Sequence, residues 1–194
     1  EDERNQYYDL NEFNVIRLIL GKECYDDTPD DNRYTRAAKD YRDWLRRGVL
    51  KQDSNRCIYL YRQKFVLSNG EHYERKGFIA LLRLEEFDKG MVKPHERTLS
   101  GPKADRLQLM RECKTNFSQI FGIYNGAGTK IPDVLEPVYK RTPLIDIIDD
   151  TGVQNQVWAV SDVNIIAEVE KGMQDKYVFI ADGHHRYETA LNYR

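Results

Sequence analysis

The chain has 194 residues, 40% hydrophobic and 32% charged, and its 30 basic and 32 acidic side chains leave a net charge of −2. That length suits one ordinary domain or two small ones, and the composition is that of a folded chain with a polar surface. Near-balanced charge argues against a general nucleic-acid binder, which needs a positive excess or patch, and no apolar run approaches the length of a membrane span.

The first residues, Glu1-Asp2-Glu3-Arg4-Asn5, lack the apolar core of a signal peptide. Cys24, Cys57 and Cys113 are odd in number, widely spaced and without a CxxC pair. Neither a disulfide framework nor a structural zinc site is expected, and a reducing cytoplasm is the expected compartment. The acidic, Tyr-rich start and an end inside a helical pattern lead us to expect a piece of a longer protein. Residues 1–194 are read as a single α+β unit.

In chain order, the start is expected to lead almost at once into a strand at Asn14-Val15-Ile16-Arg17-Leu18-Ile19-Leu20, before Gly21. Asp30 or Asp31 offers an N-cap for a helix from about Asn32 to Arg47. Its apolar positions Tyr34, Ala37, Ala38, Tyr41, Trp44 and Leu45 recur at spacings of three and four, and Gly48 closes it. Cys57 to Leu67, the turn Ser68-Asn69-Gly70 and a return strand from Glu71 to about Glu85 predict a hairpin. Phe78 to Leu82 in that return strand reads as buried. A second helix is predicted from Ser100, with Ser100 as cap, Pro102 in the first turn and Asp105 favoured by the dipole. Its stripe is Leu107, Met110, Cys113 and Phe117.

Gln119 to Tyr124 predicts a strand, Asn125-Gly126-Ala127-Gly128 a turn, and Ile131 to Tyr139 a short helix. Leu144–Ile148 and Gln156–Val160 predict a second hairpin through Asp149-Asp150-Thr151-Gly152. Asp162 to Lys171 predicts a helix with Val163, Ile166, Ala167 and Val169 on its apolar side. Trp44 and Trp158 are expected in the core. Hairpins mixed with isolated helices give an α+β class, with a mixed, largely antiparallel sheet and flanking helices.

Two stretches carry candidate chemistry. Tyr177-Val178-Phe179-Ile180 predicts a buried strand that turns at Asp182-Gly183 into a helix beginning His184-His185-Arg186. The free N–H groups and dipole at such a helix start favour an anion. Gly183 admits a ligand close to the backbone, Arg186 offers paired bonds to phosphate, and His184 and His185 donate near neutral pH. Asp182 is a cap or a partner for a histidine or magnesium ion. The alternative is a plain turn with surface histidines. His184 and Glu188, four apart, also have the spacing of metal ligands, without an HExxH pattern or a third ligand nearby.

The second stretch is Pro94-His95-Glu96-Arg97-Thr98-Leu99-Ser100-Gly101-Pro102-Lys103-Ala104-Asp105-Arg106. It leads into a helix start carrying Lys103 and Arg106, again an anion-binding arrangement. Glu96 is a candidate general base, and Thr98 or Ser100 a candidate phosphate or metal-water ligand. The alternative is a polar loop with ordinary salt bridges.

At these two motifs, together with NVIRLILGKE, FIALLRLEEF and SQIFGIY, the sequence resembles a widespread bacterial and archaeal family of uncharacterised conserved proteins, from about Asn14 to Arg194. Members of that family are longer than this chain. The Asp182-Gly183-His184-His185-Arg186 turn resembles the phosphate-binding turn of the ParB/sulfiredoxin-like fold, and similar proteins are free serine kinases. The resemblance implies phosphoryl transfer to a small hydroxyl-bearing substrate such as serine, from ATP or ADP with Mg2+. Glu96 and His184 would be catalytic. Asp182, Gly183, His185, Arg186, Arg97, Thr98, Ser100, Lys103 and Arg106 would bind phosphate or nucleotide. Sulfiredoxins carry a cysteine where this chain has His184, so sulfinate repair is not implied. ParB partition activity is not implied either, because no helix-turn-helix or basic DNA surface is visible. A non-catalytic nucleotide-binding regulatory module and a metal-dependent hydrolase using His184, His185 and Glu188 are the competing readings.

Overall fold

The computed structural model describes residues 2–88, 90–96 and 100–194. The elements in chain order are α1 (Asp2–Leu10), α2 (Ile16–Ile19), α3 (Arg33–Arg46), β1 (Ile58–Val66), β2 (His72–Ile79), β3 (Val92–Lys93), α4 (Ser100–Cys113), β4 (Phe121–Tyr124), α5 (Ile131–Tyr139), β5 (Ile145–Ile148), β6 (Gln154–Val160), α6 (Val163–Met173), β7 (Val178–Asp182) and α7 (His184–Tyr193). The class is α+β, as the sequence predicts. Two compact units form, one from Glu1–Gln52, Leu84–Ile123 and Phe179–Arg194, the other from Asp53–Arg83 and Tyr124–Val178.

The second unit is built on an antiparallel sheet of order β2-β1-β6-β5. Both predicted hairpins are present, each with a glycine at positive φ in its turn, Gly70 at 82° and Gly152 at 82°. Alternation along the strands puts Ile58 and Leu60 of β1 and Trp158 and Val160 of β6 in one core with Ile131, Leu135, Val138 and Tyr139 of α5 and Ile166 and Val169 of α6. Asp162 caps α6 by accepting from the N–H groups of Asn164 and Ile165. Val163 and Ala167 are exposed, so the apolar side of α6 is narrower than the sequence pattern predicts.

One row of that sheet is polar across all four strands. Gln156, 6% exposed, donates to Asp146 and accepts from Arg62, and Arg62 pairs with Lys76 in register. The Arg62 guanidinium lies over the Trp158 ring at 5.0 Å, capping the apolar core with a satisfied cation. Burial pushes the Tyr139 hydroxyl beneath this row up to about 12.

The predicted burial of Phe78 to Leu82 holds only in part: Phe78 and Ile79 are half-buried, Phe78 against the core of this unit, and Ala80, Leu81 and Leu82 are exposed. Ile79, opposite Tyr59, is the last paired residue of β2. Beyond it the chain leaves the sheet, and Leu81 is fully exposed.

In the first unit, the predicted strand at residues 14–20 is instead the one-turn helix α2. The Asn14 side chain accepts from the N–H of Ile16, the backbone turns at once, and only Leu18 is buried. The Tyr-rich start, expected to lead into a strand, is the helix α1. The cap of α3 is Asn32, not Asp30 or Asp31. Asn32 Oδ1 accepts from the N–H groups of Tyr34 and Thr35, while Thr35 Oγ1 accepts from the Asn32 N–H, a complete capping box. At the other end the N–H of Val49 reaches the Trp44 carbonyl at 2.9 Å and that of Gly48 the Leu45 carbonyl at 3.2 Å, with Gly48 at φ 72°. This is the six-to-one and five-to-two pattern that glycine favours after a helix.

Ala37 and Ala38 of α3 pack against Leu109 and Cys113 of α4. Across the same pair of helices, Asp105 accepts from Arg33 at 2.6 Å and from the Tyr34 hydroxyl at 2.8 Å. That is its partner in place of the predicted dipole role alone. The remaining sheet has the order β3-β7-β4. Val92 of β3, Ile180 of β7 and Tyr187 of α7 form a third cluster, with Leu84, Phe87, Ile120 and Leu191 against it.

Two outcomes are expected. Leu60 is fully buried, so Leu60→Ala should cost about 2–5 kcal/mol in chemical denaturation of the chain. Burial pushes the Cys113 thiol up to about 11, which leaves about one part in a thousand as thiolate at pH 8. An aromatic disulfide reagent should therefore label the exposed Cys24 in the native protein, and Cys113 only after denaturant is added.

Candidate functional site

The two motifs that the sequence singles out meet in the first unit. β7 delivers Asp182 to the turn, Gly183 takes φ 92°, and α7 opens with His184. A side chain at residue 183 would be strained at that φ, and its Cβ would lie 2.7 Å from Arg186 Nε and Nη2. Glycine here lets the Arg186 guanidinium fold back beneath the turn. Arg186 Nη2 donates to the Asp182 carboxylate, whose side chain is 72% exposed, while Arg186 Nε is buried without a partner among the described residues. No side chain caps α7, so its first turn presents backbone N–H groups at the end of a strand.

His184 does not reach out from the turn. It is 1% exposed, and it points back toward the stretch before α4. Its Nδ1 lies 3.0 Å from Glu96 Oε1, off the alignment of a hydrogen bond, and the Glu96 side chain is 54% exposed. Its Nε2 accepts from the backbone N–H of His95 at 3.2 Å. The His95 ring meets the His184 ring edge to face, with centroids 4.5 Å apart, and its Nδ1 donates to the Ile180 carbonyl at 2.6 Å.

The other side of α7 is fastened at two points. The Tyr187 hydroxyl donates to the Glu85 carbonyl at 2.8 Å and accepts from the Glu85 N–H at 2.9 Å, and its ring stacks on Phe87. Burial raises the Tyr187 hydroxyl above its ordinary value. Lys103 of α4 pairs with Glu188 at 2.6 Å.

The candidate residues thus divide. Glu96 and His184 are brought into contact, and Asp182, Gly183 and Arg186 form one turn. Lys103 and Arg106 sit on the adjoining α4, Lys103 with Glu188 as partner and Arg106 donating to the Ile19 carbonyl at 2.8 Å. Arg106 and Arg186 line one small cleft with Thr115, Asn116, Ser118 and Thr189 and an apolar side of Ile19, Leu109, Met110 and Phe117. No carboxylate lines it among the described residues. His185 is half-buried on the first turn of α7, its carbonyl accepting from Thr189. Ser100 is the first residue of α4. Arg97 and Thr98 lie outside the described residues. Glu188 and His184 do not converge on a common point for a metal, since each has a different partner, and no group of three or more His, Cys, Asp or Glu comes together among the described residues.

Sequence reasoning gave no role to His95 or Tyr187. The only signal for Tyr187 is its position three residues after His184, on the same helix face. His95 has none beyond its place beside Glu96.

Substitution Gly183→Ala should cost about 1–2 kcal/mol from the left-handed backbone alone, and more if Arg186 cannot move aside. Equilibrium denaturation should read this loss, with Gly183→Asn milder because Asn tolerates that region better.

The family described as "Protein of unknown function (DUF1015)" matches residues 1–194. No curated protein and no solved structure matches the chain.

Proposed function

We propose that this chain, which belongs to the DUF1015 family, is a nucleotide-dependent phosphotransferase acting on a small hydroxyl-bearing substrate, with Glu96 as its base. The observation that carries this reading is the half-exposed Glu96 carboxylate beside the buried Nδ1 of His184. A carboxylate open to solvent on one side and flanked by an imidazole on the other suits proton abstraction from a bound hydroxyl. His184 is too buried to touch a substrate. It is a positioning residue that acts through Glu96, rather than the catalytic residue that the sequence suggests.

In the transfer, the substrate oxygen bonds to the terminal phosphorus as the bond from that phosphorus to the nucleotide oxygen breaks. The hydroxyl proton passes to Glu96. Phosphoryl transfer asks chiefly for positioning and charge neutralisation. The open first turn of α7 and Arg186, whose Nε lacks a partner among the described residues, supply donors for phosphate oxygens. Arg106 adds positive charge on the adjoining α4, where the charge of Lys103 is already paired with Glu188. Magnesium is ordinarily held by one or two carboxylates plus substrate phosphates, and the exposed Asp182 at the turn fits that need. Bound with the nucleotide, the ion would neutralise phosphate charge.

Calorimetric titration with ATP and with ADP, each with Mg2+, should show binding by at least one nucleotide, and binding by neither would remove the reading. Glu96→Gln should keep nucleotide affinity and lower phosphoryl transfer by about 10²–10⁴-fold. A regulatory module that only binds nucleotide would be indifferent to that substitution.

A further inference from the structure

The contact at the back of the site fixes where one proton sits. The backbone N–H of His95 donates to His184 Nε2. A ring nitrogen that accepts a hydrogen bond carries no proton, so the ring of His184 is neutral and its single proton is on Nδ1. Nδ1 is the nitrogen 3.0 Å from Glu96 Oε1. The other tautomer would set two N–H groups against each other at Nε2 and turn a lone pair toward the carboxylate. Both contacts would be repulsive, inside a ring that is 1% exposed and has no water to compensate.

We propose that His95 is a positioning residue that selects this tautomer, so that the His184 nitrogen lying 3.0 Å from Glu96 Oε1, though off hydrogen-bond alignment, is the protonated one. The amide of His95 does the selecting, and its ring aims the amide. The ring is held at two points, its Nδ1–H on the carbonyl of Ile180 at 2.6 Å and its edge-to-face contact with His184 at 78°. Ile180 is itself 1% exposed on β7, which makes the anchor rigid. The arrangement ties the base to the strand that leads into the phosphate turn, through two histidines and one backbone carbonyl. The effect on turnover rests on the phosphotransferase reading, and the tautomer does not.

The test uses the whole chain labelled with 15N, and long-range proton–nitrogen correlation spectra of the histidine rings, with His184 assigned by its own substitution. The wild type should show His184 protonated on Nδ1. His95→Leu, which removes the bond to Ile180, should move His184 toward a mixture of tautomers. His95→Asn, whose side-chain amide can donate to the same carbonyl, should restore the wild-type pattern. If the phosphotransferase reading holds, His95→Leu should also lower kcat by about 10–100-fold, the range for groups that orient a functional side chain from behind, with the nucleotide KM unchanged. An Nε2-protonated His184 in the wild type would overturn the proposal even if His95→Leu fails to fold, and so would an unchanged tautomer in a folded His95→Leu. A chain without transfer activity that still shows the His95-dependent tautomer would remove the function and leave the positioning role in place.

Discussion

The hydroxyl of Tyr187, bonded in both directions to the backbone of Glu85, holds α7 where the candidate site needs it. A buried hydroxyl that both donates and accepts has no reason to rotate, and the N–H and C=O of Glu85 are both satisfied by the same pair of bonds. His184 stands three residues earlier on the helix, so its depth follows from that of Tyr187. The Lys103–Glu188 pair sets the neighbouring helix against the same face. Its side chains are 26% and 22% exposed, so it adds direction more than stability.

The turn before α7 is the opposite case. Gly183 takes the left-handed backbone that a side chain would resist, and Arg186 uses the room so released. The guanidinium beneath the turn is neutralised by Asp182, yet one of its N–H groups is buried without a partner among the described residues. Such a group is costly to leave unmade.

Much of the fold is legible in the sequence where a residue type carries a local obligation. The hairpin turns are readable because Gly70 and Gly152 supply positive φ, and α6 because its apolar positions and the Asp162 cap agree. The errors arise where tertiary structure decides. Asn14 to Leu20 has the aliphatic content of a strand, but one Asn side chain turns it into a helix with a single buried residue. Leu81 and Leu82 look like core, but β1 has no residue left to pair beside them. At the site, the turn geometry at Asp182-Gly183 is readable and the burial of His184 is not. Its partners His95 and Glu96 lie 89 and 88 positions earlier, and no short-range pattern encodes that meeting.

The order of segments along the chain has a consequence for biosynthesis. The first unit is assembled from three stretches, and the last of them, Phe179–Arg194, is preceded by both stretches of the second unit. Glu96 therefore leaves the ribosome well before His184 exists. The second unit has all its strands available by Val160 and its last helix by Met173, so domain-wise folding during synthesis lets it form first. Until translation passes Ile180 and Tyr187, Val92 has no cluster to join and Glu96 has no imidazole behind it. A nascent chain arrested before that point carries a finished sheet, while the contact between Glu96 and His184 waits for the last segment to be made.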